Sequence, residues 1–149
     1  MIQRSILFVC VHNSERSEMA EAFLNKYGSE YFEAESAGLE PGKVNPNAVK
    51  VMDEVGIGIS KTETKDVFDL FKQGKLYQAV ITLCDEASGE SCPTFPGIVR
   101  RISWSFPDPT TFKGTQQEIL EQTRKVRDGI REKVQAFIEE AKEPEYWLK

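Results

Sequence analysis

Cysteine and histidine are scarce in this 149-residue chain, at three residues and one. A lone histidine beside three scattered thiols lacks the closely paired ligand spacing that zinc requires. An odd number of cysteines cannot all pair, which argues against a disulfide scaffold and leaves catalytic or redox roles for Cys10, Cys84 and Cys92. Long apolar runs are missing too: Ile6 to Val11 is far too short to span a bilayer and has no signal-peptide layout, so a cytoplasmic protein with no membrane partner is expected. Positive charge is not in excess, since the formal net charge is −5. A general nucleic-acid binder needs a basic surface, so no nucleic-acid partner is expected and any anion must be captured locally.

What is present is globular composition, 40% hydrophobic and 29% charged, at a length that fits one domain over residues 1–149. Ile6, Leu7, Phe8 and Val9 form a consecutive apolar run, expected of a parallel strand buried on both faces, with Cys10 at its carboxyl end. Met19, Ala20, Phe23, Leu24 and Tyr27 recur at helical spacing from about Ser17 to a terminator at Gly28. Phe32, Ala34 and Ser36 alternate with Glu33 and Glu35, predicting a second strand that stops near Gly38. Asn45-Pro46 reads as an N-cap and first helical residue, with Ala48, Met52 and Val55 inward and Gly56 closing.

Further along, Val67, Leu70 and Phe71 predict a short helix ending near Gly74, Ala79 to Leu83 another buried strand, and Ile98 to Ser103 a weaker one. Ile119, Val126, Ile130, Val134, Phe137 and Ile138 mark a stripe on a long helix from about Thr115 to Ala141 whose charged residues read as a solvated face. The order predicts an α/β three-layer sandwich, a four-stranded parallel sheet flanked by helices. Ligands in such sheets bind beyond the strands' carboxyl ends, where Cys10, Cys84 and the segment after Ser103 should converge.

The chemistry lies in Cys10-Val11-His12-Asn13-Ser14-Glu15-Arg16-Ser17. A thiol leaving a strand and a guanidinium entering a helix set a nucleophile beneath the backbone N–H groups of residues 11 to 17, which can cradle a tetrahedral oxyanion. Those donors, Arg16 and the Ser17 hydroxyl are expected to lower the thiol pKa, and Arg16 can fork two oxygens of the anion. His12 is expected to shape the loop or its rim, and Asn13 to hold the loop by hydrogen bonds. Glu15 is expected to point into solvent, since a carboxylate facing the anion opposes binding.

This run resembles the phosphate-binding loop of the low-molecular-weight protein tyrosine phosphatases and of the thioredoxin-coupled arsenate reductases built on the same fold. Ser36-Ala37-Gly38, Asn45-Pro46-Asn47-Ala48, Gly56-Ile57-Gly58-Ile59-Ser60, Thr82-Leu83-Cys84 and Asp108-Pro109 extend the resemblance along the chain. Leu83-Cys84 and Cys92-Pro93 look like the further redox cysteines of the reductase branch. The resemblance implies that Cys10 attacks arsenate, Cys84 attacks Cys10 and releases arsenite, and Cys92 then attacks Cys84 before thioredoxin reduces the product disulfide.

It also implies that Asp108 is the general acid, its pKa raised by a bound anion and the thiolate. The alternative is a phosphatase acting through a Cys10 phosphoenzyme, although a single Phe112 follows Asp108-Pro109 where phosphatases carry an aromatic pair. Asn13, Glu21 and Ser36 match a potassium site of some reductases. Lys65 falls where those carry an aspartate and either takes the cation's place or is merely solvated; no metal requirement is expected. Neither is a cofactor, and a monomer is anticipated. Tyr146 and Trp147 either pack back on the domain or meet a partner.

Overall fold

The computed structural model describes residues 3–12, 15–40, 45–59, 65–84 and 100–148, except the side chains of 11, 12, 39 and 40. Four parallel strands, β1 (Arg4–His12), β2 (Phe32–Glu40), β3 (Ala79–Thr82) and β4 (Arg100–Ser103), lie in the order β2-β1-β3-β4. The helices are α1 (Arg16–Tyr27), α2 (Pro46–Asp53), α3 (Val67–Lys72) and α4 (Gln116–Ala141). Among the described residues no helix is long and apolar enough to cross a membrane.

Alternation along β1 divides the core between the two faces of the sheet. Ile6 and Phe8 join Met19, Phe23, Met52, Ile130 and Val134 beneath α1, α2 and α4. Leu7 and Val9 join Ala37, Val80, Val67 and Leu70 on the α3 side. The central strand is apolar on both faces because both are covered, which is the three-layer sandwich expected from its sequence.

Local chemistry sets the helix ends. Asn45 accepts from the Asn47 amide at 2.8 Å, with Pro46 first in the helix. Thr115 and Glu118 close a reciprocal capping box on α4. Gly56 and Gly74 adopt φ of +78° and +76°, the left-handed conformation that ends a helix at least cost for glycine.

Two boundaries differ from the sequence reading. β1 continues past Cys10 to His12 because β2 runs on to Glu40 and supplies partners, Cys10 opposite Gly38 and His12 opposite Glu40. On its other side the ladder stops with Val9 opposite Thr82, so Cys10 ends the strand only toward β3. The described part of the fourth strand begins at Arg100; residues 98 and 99 lie outside the described ones.

The last helix is not simply solvated on its polar side. Arg127 is buried, donates to the Val51 carbonyl at 2.9 Å and pairs with Glu54 at 2.8 Å, tying α4 to α2. The tail packs back on the domain: Tyr146 meets Phe137 edge to face, Arg4 lies over Trp147, and Trp147 Nε1 donates to the Ala141 carbonyl at 2.7 Å.

Candidate functional site

The turn from β1 into α1 brings Cys10, Arg16 and Ser17 together at the carboxyl edge of the sheet. Cys10 is fully buried, and its Sγ lies 3.2 Å from the Ser17 Oγ. Arg16 is buried as well. Its Nη1 donates to the Leu83 carbonyl at 3.0 Å and to the Phe106 carbonyl at 3.2 Å, while Nη2 lies 3.6 Å from Asp108 Oδ2. One guanidinium thus joins the first strand-helix turn, the end of β3 beside Cys84 and the segment after β4, the convergence expected from the topology.

Asp108 is held from several directions. Its Oδ1 accepts from the Thr110 amide at 2.9 Å and the Thr110 hydroxyl at 2.8 Å, capping a 3-10 turn over Pro109–Thr111. Burial pushes its carboxyl up. Hydrogen bonds from Glu15 and Thr110 and the charge of Arg16 outweigh that, so the pKa lies below its ordinary value. The rise expected from a bound anion and a thiolate is therefore opposed by the protein's own groups.

The thiol also departs from expectation. Burial pushes Cys10 up to about 11, against the lowering effects of Arg16 and Ser17 and with a further push from the Glu15 charge. The described donors stabilise the thiolate, but the cost of burying an anion is larger. Cys10 is accordingly a thiol at neutral pH.

Glu15 does not point into solvent. It is fully buried and offers no side-chain cap to α1. The physical reason is tertiary: the segment after β4 meets the helix start, where the Phe106 carbonyl and Asp108 reach Arg16. Glu18, one turn further, was missed as well. It is fully buried, its carboxyl oxygens lack hydrogen-bond partners, and burial followed by the charges of Glu21 and Glu15 raises its pKa to about 9. The periodicity of α1 gave no signal for it: Glu18 lies opposite the stripe of Met19, Ala20, Phe23, Leu24 and Tyr27, and only the tertiary structure buries it.

At the position compared with a potassium site, Ser36 Oγ donates to Glu21 Oε2 at 3.0 Å. The Gly38 amide bonds to the Lys65 carbonyl at 2.9 Å and holds that residue beside β2. Lys65 Nζ lies 3.6 Å from Glu35 Oε2. Burial raises the Glu21 pKa, the Ser36 hydrogen bond lowers it, and the Lys65 charge lowers it again. Lys65 is thus engaged with the carboxylates rather than merely solvated.

Cys84 is buried at the end of β3 and disulfide-bonded, whereas Cys10 is not in a disulfide. Cys92, Asn13 and Ser14 lie outside the described residues, as do the side chains of Val11 and His12.

The low molecular weight phosphotyrosine protein phosphatase family matches residues 5–145. An arsenate reductase of Halalkalibacterium halodurans is 41% identical over 144 residues, covering 95% of this chain and 100% of the relative. A solved arsenate reductase in a phosphate-binding state superposes with a TM-score of 0.74 at 31% identity, covering 92% of this chain and 98% of the other. A thioredoxin-dependent arsenate reductase of Corynebacterium glutamicum gives a TM-score of 0.59 at 28% identity, over 90% of this chain and 63% of that one.

Proposed function

Since the chain belongs to the low molecular weight phosphotyrosine protein phosphatase family, we propose that it is an arsenate reductase working through Cys10, Cys84 and Cys92 with thioredoxin as reductant. The observation that carries this reading is the Arg16 guanidinium, which joins the Cys10 turn to the carbonyl preceding Cys84 and to Asp108. A phosphatase needs the first and last of these but has no use for a second thiol at the site. The relatives named as arsenate reductases, one of them thioredoxin-dependent, support the same choice.

In the first step the Cys10 thiol and the hydrogen arsenate dianion yield a Cys10 thioarsenate and water. A sulfur–arsenic bond forms and an arsenic–oxygen bond breaks, with Arg16, Ser17 and the backbone N–H groups of residues 11 to 17 holding the other oxygens and Asp108 serving the departing one. Cys84 then attacks the Cys10 sulfur. The electron pair of the sulfur–arsenic bond passes to arsenic, As(V) becomes As(III), and arsenite leaves. Cys92 next attacks Cys84 and regenerates the Cys10 thiol, and thioredoxin dithiol reduces the remaining disulfide. That Cys84 is disulfide-bonded while Cys10 is not agrees with the end of this sequence. A reducing cytoplasm supplies such a donor.

The test is to assay thioredoxin-coupled arsenate reduction and aryl phosphate hydrolysis in parallel for the wild type, Cys84→Ser and Cys10→Ser. Cys84→Ser should lose reduction and keep hydrolysis, and Cys10→Ser should lose both. Full arsenate turnover by Cys84→Ser would refute the relay. A wild type active only on the aryl phosphate would identify a phosphatase acting through a Cys10 phosphoenzyme.

A further inference from the structure

Gly129 lies in the interior of α4, where glycine is the least suited residue after proline. Its backbone is ordinary helix with no positive φ, so no turn requires a glycine there. What the missing side chain provides is room. A β-carbon at Gly129 would stand 3.1 Å from Phe106 Cε1 and 3.8 Å from Cδ1, and the first distance is short enough that the ring would have to give way by a few tenths of an ångström. The Phe106 ring thus sits in the notch that Gly129 leaves on α4.

Phe106 also lines two cavities, one of about 380 Å³ with Pro107, Phe112 and Val126 and one of about 540 Å³ with Trp104, Gly129 and Lys133. A ring bordering open space lacks the dense contacts that fix a core side chain, so its seat on α4 counts for more. The main chain of Phe106 faces the site. Its carbonyl accepts from Arg16 Nη1 at 3.2 Å, and Asp108 Oδ2, two residues on, lies 3.6 Å from Nη2 of the same guanidinium. The chain between them is stiff. In Phe106-Pro107-Asp108-Pro109 each proline has a fixed φ and confines the residue before it to extended backbone, as Asp108 is at φ −80° and ψ 114°.

We propose that Gly129 and Phe106 are positioning residues that set where the Phe106 carbonyl and Asp108 meet Arg16. A ring displaced on α4 carries a stiff segment with it, and the carboxyl at the far end of that segment moves too. Arg16 then loses the alignment of its fork toward an anion, and Asp108 leaves the place from which it serves the departing oxygen. Both residues act through Arg16 and Asp108, whose roles rest on the function proposed above.

The experiment is a mutant cycle of the wild type, Gly129→Ala, Phe106→Leu and the double variant. It is read by inorganic phosphate affinity, by the rapid-mixing rate of arsenate-dependent Cys10 thiol loss and by thermal unfolding. Leucine lacks the Cε1 that the alanine β-carbon would crowd. Gly129→Ala should keep or raise the melting temperature, because alanine is the better helix former, and yet weaken phosphate binding about threefold and slow thiol loss about tenfold. In the Phe106→Leu background the same alanine should cost nothing further. Gly129→Ala with the wild-type rate and phosphate affinity overturns the proposal. So does a loss that is as large in the Phe106→Leu background, since the alanine would then act without the ring. Aryl phosphate hydrolysis is the parallel arm: a wild type inert to arsenate but active there removes the arsenate assignment, and the cycle is read on hydrolysis instead. With neither activity the function proposed above falls, and phosphate affinity still decides whether Gly129 is coupled to Arg16.

Discussion

The Arg16 guanidinium donates a 3.0 Å hydrogen bond to the Leu83 carbonyl, joining the start of α1 to the residue before Cys84. The contact spans 67 residues of chain, and its geometry depends on the planar fork of arginine. Lysine presents one point charge and cannot serve Leu83, Phe106 and Asp108 together. Arg16→Lys is therefore expected to weaken inorganic phosphate binding by about 10²-fold or more and to lower the melting temperature, because carbonyl acceptors and a carboxylate lose their partner inside the protein. Phosphate titration and thermal unfolding read the two effects separately.

Cys10 gives a prediction about reactivity and pH. With its pKa at about 11, alkylation by iodoacetamide in a Cys84→Ser/Cys92→Ser background should be slow at neutral pH and rise steeply through the alkaline range. Ser17→Ala removes a hydrogen bond that lowers this pKa, so its alkylation curve should move to higher pH. A plateau already reached at neutral pH would show that the thiol is ionised.

Glu18 makes stability depend on pH in a definite direction. Its pKa rises from 4.5 to about 9, so within that window the folded state holds a proton that the unfolded chain releases. Stability is then greatest below the unfolded value, falls as pH rises and levels off above the folded value. The loss at neutral pH is on the order of 3 kcal/mol. Glu18→Gln should flatten most of the slope, leaving the smaller part due to Glu21, whose pKa is also raised, first by burial. Urea unfolding at acidic, neutral and alkaline pH checks both claims, and a wild type with equal stability throughout would contradict them.

Lys65 bears on cation dependence. Its ammonium lies 3.6 Å from Glu35 and acts electrostatically on Glu21, where a bound cation would have the same effect. Arsenate turnover by the wild type should not respond specifically to potassium at fixed ionic strength, whereas Lys65→Ala should become potassium-responsive or lose activity. Strong potassium activation of the wild type would refute the substitution of ammonium for cation.

Cys92 supplies a trap for the relay. In Cys92→Ser, the enzyme should release one arsenite per chain and stop with Cys10 joined to Cys84, a product that mass spectrometry of the unreduced protein identifies. Repeated turnover by that variant would show that thioredoxin reaches the first disulfide directly.

Much of this was legible in the residues themselves. The apolar run of β1, the Asn45-Pro46 cap, the glycine terminators and the α4 stripe are local signals, and each appears as an element in the expected order. The same holds for the turn that sets Cys10 beside Ser17. The extension of β1 to His12 was not legible, because it depends on the partner that β2 offers.

Ionisation separates the two levels most clearly. Sequence alone determined the order of the elements and the placing of a thiol and a guanidinium about one strand-turn-helix unit, since local spacing is enough to specify them. Only the tertiary structure decided that Glu15 and Glu18 lie inside, that Asp108 is held ionised and that Cys10 keeps its proton. A proton's affinity is set by burial and by whichever charges lie within a few ångströms. For Cys10 and Glu18 alike the largest cause is burial, which depends on how the elements pack and not on local spacing.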